Sequence, residues 1–156
     1  MIDSTDFVLE PLPSEGIDTM ASTLRDARLC HDDLIGFTKR FYCASSNGVT
    51  IGYVGLETCG AEALLRSAVV FARSRGRGYG HSMVERLLDV AREQGIERVW
   101  LLTTSAPEFF AKLNFTPMPR STAPLAIAQS DEFRWACPDT AVCMVCTLSP
   151  PPPPPE

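Results

Sequence analysis

The stretch Leu64 to Gly80 constrains this chain more than any other. It reads Leu-Leu-Arg-Ser-Ala-Val-Val-Phe-Ala-Arg-Ser-Arg-Gly-Arg-Gly-Tyr-Gly. Its apolar opening, ending in β-branched residues, predicts a buried strand. That run passes into Arg73, Arg75 and Arg77, interleaved with Gly76, Gly78 and Gly80. The period then changes. Met83, Val84, Leu87, Leu88 and Ala91 recur at helical spacing, with Glu85, Arg86, Asp89 and Arg92 on the opposite face. The unit is a strand, a glycine-rich turn and a helix.

Such a unit has a direct chemical use. Glycines let the backbone turn tightly and approach a ligand, because no Cβ intervenes. Free amides at a helix start, with the positive end of the helix dipole, attract phosphate. The arginines add fork-shaped donors matched to phosphate oxygens. In a chain with 14 basic and 19 acidic side chains, this local basic concentration stands out. A Walker loop would need Gly-Lys-Ser/Thr, which is absent. A dinucleotide fingerprint would need Gly-x-Gly-x-x-Gly, and His81 follows Gly80 instead.

The spacing that does fit is Arg75-x-x-Gly78-x-Gly80. It resembles the Arg/Gln-x-x-Gly-x-Gly/Ala loop of the Gcn5-related N-acetyltransferases (GNAT superfamily). The resemblance implies an α/β (α+β) fold: a mixed, mainly antiparallel central sheet flanked by helices, with a splayed parallel strand pair around the cofactor. It implies acetyl-CoA as co-substrate. Arg75, Gly76, Arg77, Gly78, Tyr79 and Gly80 would hold its pyrophosphate, and Ala68, Val69 and Val70 would pair with the pantetheine arm. A backbone amide near Val70 would be the oxyanion donor.

The remaining chain supplies the other elements. At 156 residues it is one domain's worth, long enough to bury a core. We expect a single domain over 1–148 and a polyproline tail over 149–156, because Pro150 to Pro155 can join neither a helix nor a central strand. Phe7–Glu10 predicts a first strand, ended by Pro11 and Pro13. Ser14 is placed to cap a helix carrying Ile17, Met20 and Leu24. His31 to Ile35 can add one further turn. Phe37–Ala44 and Val49–Thr58 predict a hairpin around Ser45-Ser46-Asn47-Gly48. Gly52 and Gly55 within it indicate a bulge or a close backbone approach. Gly95 is a natural left-handed C-cap for the helix that begins near Gly80. Arg98–Thr104 is the next strand, parallel to the central one. Ser105-Ala106-Pro107-Glu108 has capping-box spacing before a short helix.

That short helix extends the resemblance. Phe109-Phe110-Ala111-Lys112-Leu113-Asn114-Phe115 is similar to the family's Phe-Tyr-x-x-x-Gly-Phe. Asn114 stands for the glycine and tolerates the same left-handed backbone. Phe110 stands for a tyrosine that often protonates the departing thiolate, so Phe110 can pack against the cofactor but cannot supply a proton. Within the superfamily, Leu64-Leu65-Arg66-Ser67, Leu101-Leu102-Thr103-Thr104 and Glu132-Phe133-Arg134-Trp135-Ala136-Cys137-Pro138 resemble the arsenic-resistance N-acetyltransferase subgroup. This implies detoxification of an arsenic-containing or phosphinothricin-like amino acid.

Acetyl transfer needs a neutral amine, a base and an oxyanion donor. Glu57, near the end of a strand beside the cofactor strand, is the candidate base. Arg66 and Ser67, expected on opposite faces of the central strand, are candidate substrate-binding residues together with Thr103 and Thr104. Arg66 would take a substrate anion or an internal partner such as Glu57 or Glu62. His31 and His81 show no partner pattern and are read as structural or surface residues.

Composition excludes several other classes. A net charge of −5 argues against a nucleic-acid binder. No apolar run reaches the length of a membrane span. Met1-Ile2-Asp3-Ser4 carries no leader pattern, so a cytoplasmic location is expected. The six cysteines (Cys30, Cys43, Cys59, Cys137, Cys143 and Cys146) lack zinc-ligand spacing, and no metal is expected. Cys143 and Cys146 should point to opposite faces of one strand. The expected partner is a small-molecule amine, and the sequence leaves a monomer and a homodimer both open. Two other classes remain: a non-catalytic acyl-CoA sensor, suggested by Phe110, and a thiol-based arsenical-binding module.

Overall fold

The computed structural model describes residues 7–12, 16–26, 39–130, 133 and 140–148. Expectations about the Ser14 cap, the His31–Ile35 turn, Cys137 and the polyproline tail fall outside them. The elements are β1 (Phe7–Pro11), α1 (Ile17–Asp26), β2 (Lys39–Ser46), β3 (Val49–Cys59), β4 (Glu62–Val70), α2 (Tyr79–Glu93), β5 (Arg98–Thr103), α3 (Pro107–Ala111), β6 (Thr116–Pro117), α4 (Leu125–Ala128) and β7 (Val142–Thr147). One seven-stranded sheet runs in the order β1-β2-β3-β4-β5-β7-β6. All neighbours are antiparallel except β4 and β5. Pro11 ends an edge strand, where its missing N–H leaves no ladder bond unmade.

Local chemistry explains the boundaries. The β2–β3 turn narrows to Asn47-Gly48, with β2 running on through Ser46. Both turn residues have positive φ, 52° and 78°, the backbone that twists a two-residue hairpin correctly. Helix α2 starts behind Gly78 (φ 79°) and stops before Gly95 (φ 83°), as its apolar period and the left-handed cap predict. Asn114 adopts φ 71°, as expected of a glycine substitute. Helix α3 departs from expectation. Its N-cap is Ala106 without a side-chain bond, and Thr103 Oγ1 accepts the Ala106 N–H at 3.1 Å.

Packing covers both faces of the sheet. On one face Met83, Val84, Leu87, Leu88 and Ala91 of α2 join Val54, Leu56, Leu65, Val99, Leu101, Met144 and Cys146. The other face holds two clusters. Met20 of α1 packs with Phe41, Tyr53 and Val69; Ile127 of α4 packs with Leu64, Trp100 and Cys143. Cys143 and Cys146 thus lie on opposite faces, as alternation requires. Burial pushes both thiols above their ordinary pKa, opposed in part by Arg120 for Cys143 and Arg92 for Cys146.

The central strand breaks its own alternation. β3 and β4 pair Tyr53 with Val69 and Gly55 with Arg66, so Ser67 and Ala68 together oppose Val54. Ser67 has φ 58°, the strained left-handed region for a non-glycine residue. This bulge inverts the parity of the strand. Leu64 and Val69 share a face, while Leu65, Ala68 and Val70 pack toward α2. Arg66 and Ser67 are therefore not set apart on opposite faces: Arg66 Nε donates to Ser67 Oγ at 3.4 Å. Gly52 is required beside the bulge, because a Cβ there would meet the Val69 carbonyl oxygen at 2.1 Å.

Candidate active site

Strands β4 and β5 pair for only three residues: Glu62 with Arg98, Ala63 with Val99, and Leu64 with Trp100. Glu62 fastens that end. Its Oε1 accepts from Arg98 Nε at 2.7 Å and from an Arg98 terminal nitrogen, and its Oε2 accepts from Trp100 Nε1 at 2.8 Å. Beyond Leu64 the strands part. β4 continues along β3, and β5 continues along β7.

The gap between them is a cavity of about 590 Å3. Leu65 to Val70 form one wall, and Leu102, Thr103 and Thr104 the other. The glycine-rich turn with the start of α2 closes one side, and α3 closes another. Most of the sequence-predicted cofactor residues meet here: Ala68, Val69, Val70, Arg75, Gly76, Gly78, Tyr79, Gly80 and Phe110 all line the cavity, as do Arg66, Ser67, Thr103 and Thr104. Arg75 also braces the turn, its Nε donating to the Val70 carbonyl at 3.0 Å. Phe110 is buried, edge-on to Phe109 and Phe115; it offers the cavity an apolar surface and no hydroxyl.

Three side chains singled out in the sequence lie off the cavity wall. Arg77 is exposed and lies off the cavity wall. Arg73 sits 5.0 Å over the Phe71 ring, also off the wall. Only Arg75 of the three turn arginines reaches the cavity. Glu57, the candidate base, is not on the wall either. Its Oε2 lies 3.5 Å from an Arg66 terminal nitrogen, which makes Glu57 an internal partner of Arg66, while Glu62 turns to Arg98 and Trp100. Arg66 is 2% exposed, and a guanidinium so buried needs such a partner. Its charge also sits 5.8 Å over the Phe41 ring.

Sequence reasoning missed several wall residues, chiefly Ser74, His81, Ser105 and Phe109. His81 Nε2 lies 2.6 Å from Glu85 Oε1, one helical turn on; the i, i+4 spacing was a signal for that pair. Among the described residues no group of three or more His, Cys, Asp or Glu is placed to hold a metal ion, and no helix is long and apolar enough to cross a membrane.

A sheet splayed at its one parallel pair, with a glycine-rich turn at the open end, defines an acyl-CoA-type transferase fold. A sequence profile of the acetyltransferase (GNAT) family matches residues 8–115, and the chain belongs to that family. Over 52 residues it is 44% identical to the amino-acid acetyltransferase of Mycobacterium tuberculosis, a match covering 33% of this chain and 29% of that protein. The N-acetylglutamate synthase of Neisseria gonorrhoeae, solved with coenzyme A and L-arginine, superposes with a TM-score of 0.70 at 20% identity. That likeness covers 91% of this chain and 33% of the synthase, so the chain spans about a third of its length. A Mycobacterium tuberculosis protein solved with CoA also gives a TM-score of 0.70 at 20% identity, over 91% of this chain and 99% of its own. These structural likenesses speak to the fold.

Proposed function

We propose that this protein transfers the acetyl group of acetyl-CoA to the amine of a small molecule. One observation carries the reading: the cavity opens where β4 loses β5, and the arginine–glycine turn stands at its end. The unpaired β4 backbone can bond an extended arm, and the Gly78–Gly80 amides with Arg75 suit its phosphates. A neutral amine attacks the thioester carbonyl, an amide near Val70 holds the oxyanion, and the C–S bond breaks to release the CoA thiolate. With Phe110 in place of a hydroxyl-bearing residue, that thiolate takes its proton from water. Glu57, turned toward Arg66, serves to hold Arg66 in place, and the amine's proton also leaves through water.

The finer reading places an arsenic-containing or phosphinothricin-like amino acid as acceptor, in a detoxifying reaction in the cytoplasm. Its support is the subgroup resemblance and the buried Arg66 on the cavity wall. The thiol-based arsenical module is the weaker alternative, since Cys143 and Cys146 lie on opposite faces of the sheet. Calorimetric titration with acetyl-CoA, followed by a thiol-release screen over small amines, tests the proposal. Micromolar binding weakened about tenfold or more by Arg75→Ala, as for a lost charged hydrogen bond, together with turnover, is expected. Binding without turnover across the screen would favour the sensor, and no binding would remove the reading.

A further inference from the structure

The cavity wall carries two hydroxyls that each accept a hydrogen bond from the protein. Ser67 Oγ receives Arg66 Nε, and Thr103 Oγ1 receives the Ala106 N–H. Neither donor can accept in return, so each hydroxyl's own hydrogen must go elsewhere. Among the described residues neither hydroxyl donates to a protein acceptor. Both residues are buried, 8% and 9% exposed, and they stand on the two opposite walls of the cavity. Donation from a guanidinium also polarises the Ser67 O–H and makes it a stronger donor.

The charges around the cavity agree with this polarity. Arg66 and Arg75 line it, and no Asp or Glu among the described residues does. The nearby carboxylates face away: Glu57 toward Arg66, Glu62 toward Arg98 and Trp100, Glu85 toward His81. Among the described residues a polyamine would meet no carboxylate for its second ammonium, whereas an oxyanion would meet donors on both walls.

We propose that Ser67 and Thr103 form a donor pair that selects acceptor amines carrying a carboxylate or comparable oxyanion. This rests on the acetyltransferase reading and assigns the acceptor's second functional group. The hydroxyls are specificity determinants, and Arg66 and Glu57 position Ser67 from behind.

The test compares the twenty amino acids and phosphinothricin with amino-acid carboxamides and spermidine in the thiol-release assay. A carboxamide has the more readily deprotonated amine, so a preference for the free acid cannot come from nucleophile supply. The parent protein should favour acids over amides by tenfold or more in kcat/KM, about the worth of a hydrogen bond to a charged group. Ser67→Gly removes the hydroxyl while relieving the positive φ, so folding is not the obstacle. It should raise KM for acids about tenfold, by more than it changes KM for amides, and erase most of the preference. Thr103→Val should act in the same direction, and Thr103→Ser should restore the parent behaviour. Preferred use of amides or spermidine, no acid accepted while acetyl-CoA binds, or a Ser67→Gly loss confined to acetyl-CoA affinity would each overturn the proposal. Failure of the parent to bind acetyl-CoA is read separately by titration and would overturn the reading beneath it.

Discussion

The two halves of the β4–β5 pair are built from the same strands and do opposite things. From Glu62 to Leu64 the backbones pair in register, and a carboxylate ties Arg98 and Trp100 across the joint. From Leu65 to Val70 the strands diverge, a bulge forms at Ser67, and polar side chains enter the space. In the closed half every polar group found has a protein partner; in the open half donors are left over. Burial is therefore no guide to role here. Leu64 and Ser67 are both buried, yet one fills a core and the other faces a site. Free backbone and unspent hydroxyl hydrogens mark the working half.

The largest effect should come from attacking the bulge that separates the halves. Gly52→Ala would drive a Cβ into the Val69 carbonyl, and we expect about 3 kcal/mol or more of destabilisation, read by urea denaturation. A midpoint unchanged from the parent would mean that β3 and β4 can part without cost. Next, Gly78→Arg should leave the closed half folded but abolish acetyl-CoA binding, because residue 78 holds φ 79° at the mouth of the turn. Unchanged affinity by calorimetry would remove the turn from the cofactor site.

Glu62→Ala sharpens the comparison from the closed side. It strands the Trp100 indole N–H, at about 1–3 kcal/mol for an unsatisfied buried donor, and frees the joint on which the open half depends. We expect a lower melting temperature and a several-fold weaker acetyl-CoA affinity; a stability loss without any affinity loss would show that the halves are independent.

The smallest effect is one of pH. Burial raises the thiols of Cys143 and Cys146 above their ordinary 9.0, and burial, with Cys43, raises the Tyr53 phenol above 10.0. Below pH 9 these groups are protonated in both states and their contribution is intact. Above it the unfolded chain ionises first, unfolding releases protons, and stability should decline as pH rises. Melting temperatures from pH 7 to 10 check the sign, and Cys146→Ser should blunt the decline.

The repeated patterns were legible in sequence. Helix α2, its glycine caps, the hairpin at Asn47-Gly48 and the parallel partner of β4 follow from period and punctuation, which are local. What was not legible depends on a single backbone angle. Strict alternation put Arg66 and Ser67 on opposite faces, and nothing in Arg-Ser-Ala-Val announces that Ser67 will take a positive φ. The same bulge decides which side chains share the cavity. Glu57 was judged by its place in the chain; only the packing shows its carboxylate against Arg66 and off the cavity wall. The Arg-x-x-Gly-x-Gly spacing singled out Arg75, and of the three turn arginines only Arg75 turns toward the Val70 carbonyl and the cavity.

Amide hydrogen exchange on β4, with and without acetyl-CoA, tests the central claim most directly. Acetyl-CoA should slow exchange at amides within residues 66–70 and leave Ala63 and Leu64 unchanged, since only the open half has backbone to offer. Equal exchange throughout β4 at saturating acetyl-CoA, or protection confined to the closed half, would contradict the account.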